Sequence, residues 1–253
     1  MICEGSGLGA RHSKIQHGRT TGELFVFDHE FYHRKSCHDG VVVWQTPPME
    51  NVALVWSDAA AEVHRFVVGP LDNNVYVVRC RRTGVAALID AANEHERLLT
   101  VATSLGVTSV LETHGHWDHI GAVPAVRDAG MDVWVRAEDA DLLPSYDHLL
   151  EDDAEHRVGD LRLRSLHTPG HTPGSACFSL VDTPLLFTGD TLFPGGPGAT
   201  TFDGGDFSRI ITSIDEVIFH RFDDETLLWP GHGAATTVGR ERPHLDEWVT
   251  RGW

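Results

Sequence analysis

From about Ala61 onward the chain alternates short apolar segments with turns rich in Gly, Pro and Asn, and each segment has the length and period of a definite element. His64–Gly69 and Asn74–Cys80 read as strands around the turn Gly69-Pro70-Leu71-Asp72-Asn73, and Val85–Asp90 as a third strand after Thr83-Gly84. Leu98, Leu99, Ala102 and Leu105 share one helical face, so a helix is expected there, with Asn93 as its N-cap and Gly106 closing it. Val107–Glu112 is apolar and β-branched enough for a buried strand. A helix over His119–Asp128, a strand over Asp132–Arg136 and a helix over Glu138–Leu143 follow. The second half repeats this order with strands Leu161–His167, Ala176–Val181 and Leu185–Thr188, a helix Asp206–Phe219 and a strand Thr226–Trp229. Ile210, Ile211, Ile214, Val217 and Ile218 give that helix its apolar stripe, and a last helix is expected near Glu241–Trp248. Strands mixed with helices in two similar halves predict two packed sheets with helices outside, an α/β protein.

Residues 1–48 do not follow this pattern. Their apolar clusters, Leu24–Phe27 and Val41–Trp44, are short and isolated, and the segment ends at Pro47-Pro48. We read 1–48 as a poorly ordered N-terminal extension, with 49–253 as the working domain and Met49 as a candidate start. Cys3, Cys37 and the five histidines of this segment match no zinc spacing.

Composition narrows the function classes. Hydrophobic content of 41%, with seven Trp and eleven Phe, is enough for a packed core. The formal net charge is −17, and 1–48 contributes none of it, so a nucleic-acid or anionic-membrane surface is not expected. No apolar run reaches membrane-spanning length and no export signal is visible. Four cysteines without CxxC spacing fit a reducing compartment, so a cytoplasmic location is expected. The unusual count is seventeen histidines.

Their positions carry the chemistry. After the strand Val107–Glu112 comes Thr113-His114-Gly115-His116-Trp117-Asp118-His119, three histidines and an aspartate within six residues. His114 and His116, two apart on an extended segment, point the same way, and Asp118 and His119 lie where the chain turns. Imidazole with carboxylate suits zinc, iron or manganese. Three more candidates sit among Gly and Pro at strand ends: His171 in Thr168-Pro169-Gly170-His171, Asp190 in Thr188-Gly189-Asp190, and His232 in Pro230-Gly231-His232-Gly233. The set makes seven candidate metal ligands from four strand ends.

HxHxDH followed by single His, Asp and His at these stations resembles the metallo-β-lactamase superfamily of hydrolases, over roughly residues 61–245. The resemblance implies an αββα sandwich. It also implies that His114, His116 and His171 hold one divalent metal, that Asp118, His119 and His232 hold a second, and that Asp190 bridges both. Such a pair, zinc or else iron or manganese, activates a bridging water toward a carbonyl carbon, so no serine or cysteine nucleophile is required. Asp118 has a second expected role, orienting that water or passing a proton to the leaving group.

The segment Pro230–Leu245 and the loop Leu192–Gly198 are similar to those of short glyoxalase II-type thioester hydrolases. Where many relatives have Gly-Arg-x-Asp, this chain reads Gly198-Ala199-Thr200-Thr201. Arg240 and Arg242 are candidates to meet a substrate carboxylate, or else solvated arginines at a helix start. The expected substrate is therefore a small-molecule hydroxyacyl thioester of a low-molecular-weight thiol. A lactone or other ester is the alternative on the same metal pair. A mono-iron persulfide dioxygenase fits less well, since Gly231-His232-Gly233 stands where that group shows Gly-His-Asp-Tyr, and a non-enzymatic member would lack ligands that are all present here.

Overall fold

The computed structural model describes residues 51–252 and the backbone of four short strands nearer the N-terminus. The chain divides into two units, Met1–Met49 and Glu50–Trp253. In the first, β1 (Ile15–His17) pairs antiparallel with β2 (Leu24–Val26), and β3 (Arg34–His38) with β4 (Val41–Gln45). The expected disorder of 1–48, and the side chains of Cys3 and Cys37, fall outside the described residues.

The second unit is built on two sheets. The first contains β5 (Ala53–Ser57), β6 (Ala61–Val68), β7 (Asn73–Cys80), β8 (Ala86–Ile89), β9 (Val107–Leu111), β10 (Asp132–Arg136) and β11 (His148–Leu150), side by side in that order. β5 to β8 run antiparallel to their neighbours, whereas β8, β9, β10 and β11 are parallel. The helices α1 (His95–Leu105) and α2 (Val123–Asp128) make the crossovers that parallel neighbours require. The second sheet has the order β12 (Glu155–Val158), β13 (Leu161–His167), β14 (Ala176–Leu180), β15 (Leu185–Gly189), β18 (Leu227–Pro230), β19 (Thr236–Thr237). Between β15 and β18 lie a two-stranded ribbon, β16 (Leu192–Phe193) with β17 (Gly196–Pro197), and the helix α3 (Phe207–Thr212), which runs on as a π-helix over Ser213–Phe219.

Side-chain alternation sorts these strands into layers. On β7, Val75 and Val77 pack with Leu98, Val101 and Val123 of α1 and α2, while Tyr76 and Val78 join Leu163, Phe178 and Phe187 between the sheets. On β15, Leu185 and Phe187 face that central layer, and Leu186 packs with Ile210, Ile214, Ile218 and Trp248 on the outer side. The result is the expected order of helix, sheet, sheet, helix. The last layer is closed by α4 (Val238–Glu241) and α5 (Leu245–Arg251). Among the described residues no helix is long and apolar enough to cross a membrane.

Several elements differ from expectation, each for a local reason. The helix expected from His119 begins only at Val123, because Pro124 belongs in a first helical turn and His119 N instead closes a turn onto His116 O. Glu138–Leu143 forms only a 3-10 turn, Ala140–Leu142, whose preceding Asp139 is turned inward. Pro243 removes a backbone donor, so the C-terminal helix is split between α4, a 3-10 turn Arg242–His244 and α5. The helix expected over Asp206–Phe219 widens into its π segment after Thr212, which still buries Ile210, Ile214 and Ile218 on one side. Glu94, not Asn93, occupies the cap of α1, in a left-handed conformation, while Asn93 Oδ1 accepts from Glu94 N at 2.7 Å. Gly106 closes that helix as expected. The strands β5, β11, β12 and β19 have no counterpart in the apolar pattern, since the first three are short and half exposed and β19 is two threonines.

Candidate metal centre

The seven candidate residues arrive from the C-terminal ends of β9, β13, β15 and β18, so rigid strands from both sheets deliver them to one edge. Glycine makes the close approach feasible. A Cβ on Gly231 would collide with Asp190 Oδ1 and stand 2.7 Å from His119 Cε1.

The structure brings all seven together. His114, His116 and His171 form one group, and Asp118, His119 and His232 form another, each with ligand atoms within 4.8 Å of one another. Asp190 reaches both: its Oδ2 is 3.6 Å from His171 Nε2 and from His232 Nε2, and its Oδ1 is 3.5 Å from His119 Nε2.

Outer hydrogen bonds on four of the five rings fix which nitrogen faces inward. Carboxylate and carbonyl oxygens can only accept, so His119 Nδ1 donates to Asp90 Oδ2 (2.8 Å), His171 Nδ1 to Ala199 O (2.7 Å) and His232 Nδ1 to Leu71 O (2.8 Å). Thr113 Oγ1 gives its proton to Asp90 Oδ2 and so accepts from His114 Nδ1 at 3.0 Å. In the neutral rings the inward nitrogens are then lone pairs. Yet His114 Nε2 and His171 Nε2 both point at His116 Nδ1, at 3.1 and 2.9 Å, and His119 Nε2 faces His232 Nε2 at 3.2 Å. His119 and His232 thus turn lone pairs on each other, and a proton on His116 Nδ1 could serve only one of its two neighbours, so these contacts repel unless cations lie between the rings. Asp190 Oδ1 adds a buried carboxylate oxygen without a hydrogen-bond partner. The His/Asp donor set therefore fits a dinuclear metal site.

Electrostatics agree. Burial, then the neighbouring His119, His171 and His116, push His114 well below the ordinary imidazole range, and burial and His171 lower His116. Burial opposes charge on His119 as well, but Asp190 and Asp90 outweigh it and raise this ring well above its usual pKa. Burial also disfavours the Asp118 carboxylate, but His232, His119 and the Asn73 amide hold it below its usual range. Three carboxylates around His119 call for positive charge, which metal ions would supply in place of the proton.

Sequence reasoning missed the residues that hold this arrangement. Asp90 accepts from Thr113 N and Thr113 Oγ1 as well as from His119, and so ties the end of β8 to the first metal-binding loop. Buried Asp139 accepts from Gly115 N (2.8 Å), Thr172 Oγ1 (2.6 Å) and Gly174 N (2.6 Å), joining the His114–His116 loop to the His171 loop. Asn73 Nδ2 donates to Asp118 Oδ2 at 2.9 Å. The only local signal was at Asp90, a carboxylate ending an apolar strand.

Arg240 and Arg242 stand elsewhere. Arg242 pairs with Asp224 and donates to the carbonyls of Phe219 and Phe222, closing the π-helix, while Arg240 borders a separate hollow beside His244 and Trp248. Neither lines the cleft above the metal-binding residues. His167, assigned no metal role, donates Nε2–H to Pro173 O.

Comparison with known proteins places the geometry in a family. Over 199 residues the chain is 32% identical to the probable metallo-hydrolase YqgX of Bacillus subtilis (strain 168), covering 70% of this chain and 93% of that protein. It is 34% identical to the hydroxyacylglutathione hydrolase GloC of Haemophilus influenzae, covering 62% and 84%. The crystal structure of TTHA1623 in a di-iron-bound form superposes with a TM-score of 0.63 at 30% identity, over 70% of this chain and 96% of that one. Residues 68–232 match the family described as the metallo-beta-lactamase superfamily. The chain belongs to the metallo-beta-lactamase superfamily.

Proposed function

We propose that residues 49–253 form a dinuclear metal-dependent hydrolase that cleaves a hydroxyacyl thioester of a low-molecular-weight thiol. The observation that carries this reading is the pair of His/Asp triads sharing Asp190 at the floor of an open cleft. Among the described residues lining that cleft there is no serine or cysteine. The resemblance of the loops after Asp190 and His232 to glyoxalase II-type enzymes, and the hydroxyacylglutathione hydrolase name of one relative, support a thioester over other carbonyl substrates.

His114, His116 and His171 would hold one cation, Asp118, His119 and His232 the other, and Asp190 both. Zinc suits this imidazole and carboxylate set, with iron or manganese as alternatives. When bound, the pair supplies Lewis acidity, which lowers the pKa of a water and polarises the thioester carbonyl. The chain's own residues orient and move protons. Asp118, kept ionised by Asn73, His119 and His232, stands at the cleft floor to accept a proton from the attacking water. Water adds to the carbonyl carbon, the C–S bond breaks with its electron pair on sulfur, and the products are a carboxylate, a thiol and one released proton.

Free, buried Cys80 and Cys177 are compatible with a cytoplasmic setting. Neither a nucleic acid nor a membrane is needed as a partner. The reading is tested by S-lactoyl thioester hydrolysis on protein of measured metal content. Turnover is expected to require metal and to disappear in His116→Ala; turnover by metal-free protein refutes it.

A further inference from the structure

The walls of the cleft have a chemistry distinct from its floor. The cleft measures about 1040 Å³. Leu71, Trp117, Leu142 and Phe202 stand around it, half of the eight exposed large apolar side chains among the described residues. Such side chains scattered singly mean little, but gathered at the mouth of a cleft they mark a binding surface. Trp117 is 64% exposed and Phe202 59%, so neither ring is occupied with core packing. Aromatic rings also flank both triads. Phe202 meets His116 edge-on with centroids 5.6 Å apart, and Phe193 lies 6.4 Å from His232.

Positive charge is missing from these walls. Among the described residues no Lys or Arg lines the cleft, and the chain's two lysines, Lys14 and Lys35, both belong to the first unit. Arg65 lines a different hollow, and its guanidinium donates to Asn74 Oδ1 and Gly233 O. Apart from Asp118 and Asp190, the one carboxylate on the lining is Asp203. An anionic substrate arm would meet an acidic wall on a chain of net charge −17, with no side-chain cation to receive it.

Resting on the thioester-hydrolase reading above, we propose that the substrate carries an uncharged apolar arm, held by Trp117 and Phe202, and that charged thiols such as glutathione are poor carriers. The two rings offer flat, rigid contact area at the rim, while the floor binds the thioester group common to all such substrates.

The test compares S-lactoyl benzyl mercaptan with S-lactoylglutathione on the zinc-loaded full chain, and titrates an uncleavable benzyl thioether by isothermal titration calorimetry. The benzyl thioester is expected to have the higher kcat/KM by about tenfold, the difference lying in KM. Phe202→Arg should narrow or reverse that ratio by placing a cation on the wall, with bound zinc per chain measured alongside. Trp117→Ala should weaken thioether binding, and Trp117→Phe should largely restore it. An equal or greater kcat/KM on glutathione overturns this inference and leaves the hydrolase reading standing. Thioether binding without turnover of either ester supports the apolar arm and overturns the hydrolase reading. No thioether binding overturns the apolar arm whatever the turnover.

Discussion

His119 Nδ1 donates to Asp90 Oδ2 across 2.8 Å at the fully buried base of the site, and this contact determines that His119 presents Nε2 to the second triad. Asp90 does so from a left-handed backbone conformation, φ 64°, which Asp and Asn tolerate better than other side chains. Asp90→Asn therefore keeps the backbone and removes the charge. It is expected to weaken metal affinity by about 10–100-fold, the usual cost of losing such a supporting partner, with the fold retained. Competition against a chromophoric chelator measures this; unchanged affinity would remove Asp90 from the account.

Asp139 should matter for stability more than for chemistry. Its carboxylate satisfies three donors on two loops, and Asp139→Ala leaves the Gly115 and Gly174 N–H groups without their acceptor, while Thr172 Oγ1 can still donate to Ser175 Oγ. At about 1–3 kcal/mol for each buried unsatisfied donor, a loss of at least about 2 kcal/mol is expected from urea unfolding of the metal-free protein. A loss below about 1 kcal/mol would show that the loops hold their places without it.

Gly231 tests the closeness of the site. The methyl of Gly231→Ala would press on Asp190 Oδ1 and His119 Cε1 together. Bound metal per chain should fall while far-ultraviolet circular dichroism stays unchanged. A variant with full metal content would mean that the two residues separate easily.

These supporting residues show where a single sequence stops being informative. The strands and the stations His114–His119, His171, Asp190 and His232 were legible because their signals are local: an apolar run, then Gly or Pro beside a ligand-type side chain. In the sequence Asn73 looks like a turn residue, Asp90 like a strand end and Asp139 like a helix residue, and their partners lie 23 to 45 positions away. Contacts of that separation exist only after the sheets have formed. Helix lengths failed for a different reason: apolar spacing continues through Pro124 and Pro243, and backbone donors end the helices where side-chain period does not. Arg240 and Arg242 show the same limit, since proximity in sequence to His232 did not place them in the cleft.

Acid stability should report on Asp147. The Arg127 guanidinium and the Val133 N–H hold its carboxyl down at about 2. In the unfolded chain an aspartate titrates near 3.9, so the folded state binds the proton less readily. The stabilisation is complete above about pH 4 and is lost as pH falls toward 2. Asp147→Asn should flatten the stability curve in that window and lower stability at neutral pH. A curve parallel to that of the parent protein would contradict the assignment.

The central claim is that two metals held by seven His and Asp side chains carry out the hydrolysis. The most direct measurement is the rate of thioester cleavage as a function of metal bound per chain, titrated from fully chelated protein. The account predicts background rate at zero metal and full activity only as the second equivalent binds. Activity in the metal-free protein, or saturation with no metal bound to these residues, would contradict it.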